Sequence, residues 1–510
     1  MTRTEPRWAR TTAWIARHPW AGLTVWAAVV FMLAASVARA FTYPPLNGGD
    51  EPAHLDYVIS VWHLHLPVFE KGITYHAPFG ATTPVQWVSQ HPPLYYLVLA
   101  PVVGPLFDGG HPLVAVIAGR LMSGLMAGGV VVASAWAAWR CFPGSRRLPG
   151  AVAVVTAFAG MVIQQGGSIY NDILFVLLLV LACGVAGAAI RTGMGPGLAV
   201  ASAVVGAAGM TTRLSFALWL VALVVATVLA RRVQLWGLGG VWARIVAAAA
   251  PVVAAGAASG WFYLHNKATS GNFSGRHAEW GIENMGRVVR PVREVALDGG
   301  FWTGLFGIYR GVLPPSTPVQ WVLMILPMLL AAVVGVVVLI RRRRSPAVGR
   351  AAARFRRRDR LSTWLIVAMF VVVSALLTVI EIDYVHGGGA ANTRYALTIL
   401  PVITIAMAAG LTGFRRASGA LVLLWVAVSF VPYLSLVDLH VAGIVPHAAR
   451  VVQLMFAVSV LAAVGCVVGA FVDQRHREPA ALPAGPRAFR DTPPASAVDQ
   501  EARASANSVR

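Results

Sequence analysis

Two adjacent carboxylates, Asp50 and Glu51, follow a glycine pair and precede a proline in Asn47-Gly48-Gly49-Asp50-Glu51-Pro52-Ala53-His54. A carboxylate can take a proton from a hydroxyl or hold a cation, and a second one beside it can share that work. Pro52 suits the first turn of a helix, and Asp50 or Glu51 suits its cap, where a side-chain oxygen satisfies a free backbone N–H. Capping alone would account for Asp50; so would presenting a carboxylate to a cavity, and the two roles are compatible. His54 comes one turn later and can share the face of Asp50. The two could give two ligands to a divalent cation such as Mg2+ or Mn2+. His63 and His65 point apart on a helix and make a poor chelate.

Further candidates lie far along the chain. Gln90-His91-Pro92-Pro93-Leu94-Tyr95-Tyr96 opens a short apolar stretch, where His91 is either a plain loop-to-helix junction or a cavity group. Arg213, in Gly209-Met210-Thr211-Thr212-Arg213-Leu214-Ser215, falls between two apolar runs. Arg394, in Asn392-Thr393-Arg394-Tyr395, begins another, with Tyr395 beside it. A planar guanidinium suits a phosphate, and the plain alternative is an arginine reaching for lipid headgroups. Arg276-His277 and Phe301-Trp302-Thr303-Gly304-Leu305-Phe306-Gly307 are cavity candidates whose alternative is interfacial packing.

The elements that must position these residues are apolar. Of the 510 residues 57% are hydrophobic and 12% charged, and the mean hydropathy is +0.68. Runs of about 20 apolar residues match a bilayer, so the fold class is an all-α polytopic membrane protein. The net charge of +21 does not indicate nucleic acid, because the basic residues form short blocks between apolar runs, as cytoplasmic loops do. The three cysteines form no close-spaced motif for a disulfide framework or zinc site.

Placing the arginine blocks on one side gives about twelve transmembrane helices: 20–42, 113–139, 149–165, 171–190, 197–210, 214–230, 242–264, 319–340, 361–380, 395–413, 417–435 and 449–471. Both termini are then cytoplasmic, provided that 92–107 lies on the membrane surface instead of crossing. This reading gives a membrane domain over 1–477, outer loops at 43–112 and 266–318, and a disordered cytoplasmic tail at 478–510. After Asp50, Leu55, Ile59, Trp62 and Leu66 share one helical face, and His54, Tyr57, Val61 and His65 another. That pattern predicts a helix lying in the membrane interface.

Taken together, Asp50-Glu51-Pro52-Ala53-His54, His91-Pro92-Pro93-Leu94-Tyr95-Tyr96 and Thr393-Arg394-Tyr395 resemble the GT-C superfamily of polyprenyl-phosphate-sugar-dependent glycosyltransferases. Within it the resemblance is to bacterial membrane proteins with an Asp-Glu-Pro-x-His segment and an Arg-Tyr near the start of a late span. It covers roughly residues 20–440 in layout and rests on these three motifs. The resemblance implies a GT-C-like fold with juxtamembrane helices in the first outer loop. It also implies sugar transfer at the outer face of the cytoplasmic membrane, from a polyprenyl-phosphate donor to a glycan, lipid or protein acceptor. Asp50 would be the general base or a ligand of a divalent cation, and Glu51 the second carboxylate. By chemistry and position, Arg394, Arg213 or His91 would stabilise the leaving phosphate. Members with a large soluble C-terminal domain differ from this sequence, which has a short tail there, so acceptor recognition would fall to 266–318. Two other classes share the layout: a multi-pass transporter or lipid flippase, and a non-catalytic envelope-assembly scaffold. Against the transporter stand the missing internal repeat and the lack of mid-span acidic residues.

Overall fold

A chain crossing lipid must satisfy its backbone groups internally, which makes each long apolar run a helix. The computed structural model describes residues 19–47, 49–311, 316–341 and 350–475. Among them it is helical apart from loops and two isolated bridges, Met194 with Val233 and Leu235 with Leu238. In chain order the helices are α1 (Leu23–Thr42), α2 (Glu51–Trp62), α3 (Leu94–Asp108), α4 (Pro112–Cys141), α5 (Leu148–Ala157), α6 (Gly160–Gly166) and α7 (Asp172–Thr192). They continue as α8 (Pro196–Met210), α9 (Ala217–Val228), α10 (Gly240–Ser270), α11 (Ala278–Met285), α12 (Val292–Leu297), α13 (Gly299–Phe306), α14 (Leu326–Arg341), α15 (Arg350–His386), α16 (Leu400–Gly413), α17 (Ser418–Leu434) and α18 (Ala448–Arg475).

Every segment expected to cross is helical, and the segments differ in length. Among the described residues eight helices are long and apolar enough to cross a membrane. The pair α5 and α6, bent by 64°, makes up to nine. The segments at Pro196–Met210, Leu214–Val228 and Ser418–Leu434 are apolar but shorter, like Leu94–Asp108. At about 1.5 Å per residue, a 15-residue helix reaches about 22 Å, less than the ~30 Å of hydrocarbon. The tail placed at 478–510 lies outside the described residues.

The core forms where α1 meets α4, α5 and α18, and where α4 meets α7. Phe31 of α1 stacks on Phe158 at 3.9 Å and packs against Tyr433 at 5.2 Å. Small residues permit this closeness: a β-carbon at Gly128 would collide with Leu33, and one at Gly184 with the Trp136 ring.

The helix expected after Asp50 is present but shorter and more enclosed than its face pattern predicts. α2 stops at Trp62, so His65 and Leu66 lie beyond it, and every residue from Glu51 to Val61 is buried. The loop from Phe69 to Gln90 folds over its polar face. Asp56 accepts from the backbone N–H groups of Thr74 and Tyr75, each at 2.8 Å, and from the Gln86 side chain. α3 then packs back along α2, with Tyr96 stacked on Tyr57 at 3.7 Å. Its opposite face exposes Leu97, Val98 and Val102.

Candidate functional site

Asp50 occupies the N-cap position of α2, yet its carboxylate makes no capping bond. Its Oδ2 accepts instead from Arg394 Nη2 at 2.6 Å, and its backbone N–H donates to the Tyr170 hydroxyl at 3.1 Å. Capping therefore does not explain the carboxylate. The Asn392 side chain accepts from the Arg394 backbone N–H at 3.1 Å, which fixes the turn carrying this arginine.

Glu51 points the other way. Its side chain is fully buried against Arg120, with Nε to Oε1 at 2.8 Å and Nη2 to Oε2 at 2.6 Å. The backbone N–H groups of Ile169 and Leu46 donate to the same carboxylate at 3.0 and 3.3 Å. Arg120 also donates to the carbonyls of Ala40 and Tyr43, each at 2.7 Å, and of Pro44 at 3.2 Å, closing the C-terminal end of α1. The expectation of a second reacting carboxylate at Glu51 is thus corrected: both oxygens are used in tying α1, α2, α4 and the segment before α7 together. This knot holds the neighbouring residue, Asp50, in place.

Asp50 lines a cavity of about 600 Å3. Around it stand His91, Arg213, Arg394 and Tyr395 from the sequence expectations, with Arg276 and His277 from the segment after α10. An apolar wall of Phe175, Leu218, Val221, Leu376 and Ile380 continues from the charged groups. On it Val221, Leu376 and Ile380 are exposed, so the cavity reaches an apolar outer surface of α9 and α15. Arg213 pairs with Asp172 at the start of α7. Arg213 and Arg394 both lie over the Tyr395 ring, at 5.8 and 5.7 Å respectively. Among the described residues Arg394 makes one side-chain bond, to Asp50, and its buried Nε has no partner.

His54 is buried behind the cavity, where its Nδ1 meets the Tyr96 hydroxyl at 2.9 Å. Burial pushes the His54 imidazole down to about 3. The Asp50 charge opposes that shift, while Arg394 and Arg213 add to it. Burial, with Arg213 next, likewise holds His91 well below its ordinary range. For Asp50 burial would raise the carboxyl, but Arg394 and then His54 and Arg213 outweigh it and hold it below the ordinary carboxylate range. The site therefore has an ionised Asp50 and neutral histidines.

A divalent cation bound here would find few protein ligands. Among the described residues no three His, Cys, Asp or Glu side chains gather to hold one. Asp50 Oδ2 and His54 Nδ1, the expected pair, are engaged by Arg394 and Tyr96. The Phe301–Gly307 segment is not part of the cavity either: Phe301 and Leu305 are buried in the core, and Thr303 bonds Trp321.

Several residues at the site escaped the sequence reading. Asp172, Tyr170, Trp87 and Arg287 carried no motif, although an acidic residue opening an apolar run, as at Asp172, was a usable signal. Glu381 and Tyr384 come from the last turns of α15.

No protein-family profile matches the chain, and no curated protein sequence matches it. Among solved structures, the chain is similar to ArnT from Cupriavidus metallidurans bound to undecaprenyl phosphate, with a TM-score of 0.45 and 15% identity, covering 91% of this chain and 77% of that one. It is also similar to the archaeal oligosaccharyltransferase AglB from Archaeoglobus fulgidus in complex with an inhibitory peptide and a dolichol-phosphate, with a TM-score of 0.43 and 12% identity. That match covers 88% of this chain and 55% of AglB, so the chain spans about half of that protein's length. These are likenesses of helical layout, without residue-by-residue correspondence.

Proposed function

We propose that this chain is a membrane glycosyltransferase that moves a sugar from a polyprenyl-phosphate donor to a hydroxyl acceptor at the outer face of the membrane. The observation that carries this reading is the Asp50–Arg394 pair, lining a cavity that runs into an apolar wall, with a guanidinium N–H left over. A lipid phosphate needs both features: an apolar path for its tail and a cation with free donors for its head. The motif resemblance at Asp50, His91 and Arg394 supports it.

In the reaction the acceptor oxygen attacks the anomeric carbon, the bond from that carbon to the phosphate oxygen breaks, and the electron pair leaves with the phosphate. The hydroxyl proton passes to Asp50, whose Oδ1 has no partner among the described residues while Oδ2 is held by Arg394. The low proton affinity of Asp50 comes from that arginine. A phosphate drawing on the same guanidinium loosens its hold, so donor binding makes Asp50 a better base. Arg394, with Arg213 close by, then meets the charge that develops on the leaving phosphate. No metal enters this scheme. Glu51 and Arg120 act as positioning residues.

The test is Asp50→Asn. Asparagine keeps the size and can still bond Arg394 but cannot take a proton, so transfer from lipid-linked donor should fall by at least about 100-fold with folding and expression retained. Transfer at the parental rate by a folded Asp50→Asn protein would remove the base assignment.

A further inference from the structure

One carboxylate of the cavity has no part in this scheme. Glu381 is 9% exposed and lines the cavity from α15, beside Ile380 and Tyr384. Among the described residues it accepts no hydrogen bond and belongs to no ion pair, unlike Asp50, Glu51, Asp56 and Asp172. A buried carboxylate with no donor is unfavourable until something meets it.

Its surroundings narrow what that is. Tyr384, three residues on and on the same helical face, meets the Tyr395 hydroxyl at 3.2 Å. The Arg276 guanidinium lies over the Tyr384 ring at 4.2 Å and has no carboxylate partner among the described residues. Glu381 and Arg276 thus offer unused acceptors and unused donors to the same cavity. Asp383, the remaining acidic lining group, is exposed. A phosphate would be repelled by Glu381, and a hydrocarbon tail would leave both charges unmet. A pair of neighbouring hydroxyls satisfies both, donating to the carboxylate and accepting from the guanidinium.

We propose that Glu381 and Arg276 form the subsite for the transferred sugar ring, holding two adjacent hydroxyls while Arg394 holds the phosphate. This rests on the lipid-phosphate-sugar reading and extends it: the donor carries a neutral sugar with a free vicinal diol. Glu381, rather than Glu51, is then the second carboxylate of the cavity, acting as a specificity residue.

Equilibrium binding to the full-length protein in lipid nanodiscs tests this without needing turnover. The probes are undecaprenyl phosphate and the same lipid carrying glucose, mannose, galactose, arabinose or an amino sugar. In the parent protein at least one neutral-sugar lipid should bind about tenfold tighter than bare undecaprenyl phosphate. Glu381→Gln should erase that preference while leaving the bare lipid within about twofold, and Arg276→Gln should do the same. If Glu381→Gln fails to fold, Arg276→Gln decides alone. Equal losses for bare and sugar-bearing lipids, no sugar preference in the parent, or tightest binding of the amino sugar would each overturn the assignment. Failure of the parent to bind any of these lipids would instead sink the polyprenyl-phosphate reading beneath it.

Discussion

Glu51→Gln removes one negative charge from a fully buried site and keeps nearly every atom in place. Four donor contacts converge on the carboxylate: two from Arg120 and one each from the backbone of Ile169 and Leu46. Glutamine has one oxygen to offer, so its amide nitrogen must face a donor, and the Arg120 charge is left buried. Arg120 keeps its three carbonyl contacts to Ala40, Tyr43 and Pro44, but carbonyl dipoles do not cancel a full charge. Breaking one partner of a buried ion pair costs about 3–5 kcal/mol, and here both side chains are wholly buried. The expected result is a Glu51→Gln protein that melts much earlier in detergent, measured by thermal unfolding followed by fluorescence or gel filtration. The companion Glu51→Gln with Arg120→Met should recover part of that loss, because it removes the stranded charge as well. A Glu51→Gln protein within about 1 kcal/mol of the parent but devoid of transfer would refute this reasoning. It would return Glu51 to the reaction.

Three residues carry the remaining expectations. Arg394→Lys keeps the charge near Asp50 but loses the fork, so donor affinity and turnover should both fall; Arg394→Ala should be worse, and parental kinetics in Arg394→Lys would mark the arginine as a plain lipid anchor. Arg213→Lys is the internal comparison and should cost less, since Arg213 is committed to Asp172. His54, neutral in the fold down to about 3, charges near pH 6.5 when unfolded. Its contribution is therefore complete above about pH 6.5 and is lost as pH falls from there toward about 3, with about 2 kcal/mol gone by pH 5. His54→Asn keeps an acceptor for Tyr96 and should flatten this acid limb in unfolding curves taken across that range, whereas an unchanged slope would show that His54 is not its source. His91 shifts in the same direction, so some slope should remain.

What the sequence revealed and what it hid follow one physical line. Helices were legible because apolar runs in lipid have no other way to satisfy their backbones. The short ones were legible too: the segments read as 197–210 and 214–230 fold as Pro196–Met210 and Leu214–Val228. The charged residues of the site were legible by type: Asp50, His91, Arg213, Arg394 and Tyr395 all reach one cavity from separate parts of the chain. Their pairing was not. Glu51 looked like a twin of Asp50 because its partner, Arg120, stands 69 residues away. An arginine inside an apolar run of that length was itself the missed signal, since such a charge must be answered by another. The face pattern after Asp50 misled for the same reason: polar groups at His54, Asp56 and Tyr57 are met by Tyr96, the 74–86 segment and His91, not by water. Residue type thus finds the charges, and partners decide which of them are spent on the fold. By that criterion Glu51, Asp56 and Asp172 are spent. Arg394 is half spent, with one donor on Asp50 and its Nε unused, and Glu381 is wholly unspent. On the proposed reading, a ligand in this cavity is recognised by what the fold leaves unpaired, the phosphate by Arg394 and the sugar by Glu381.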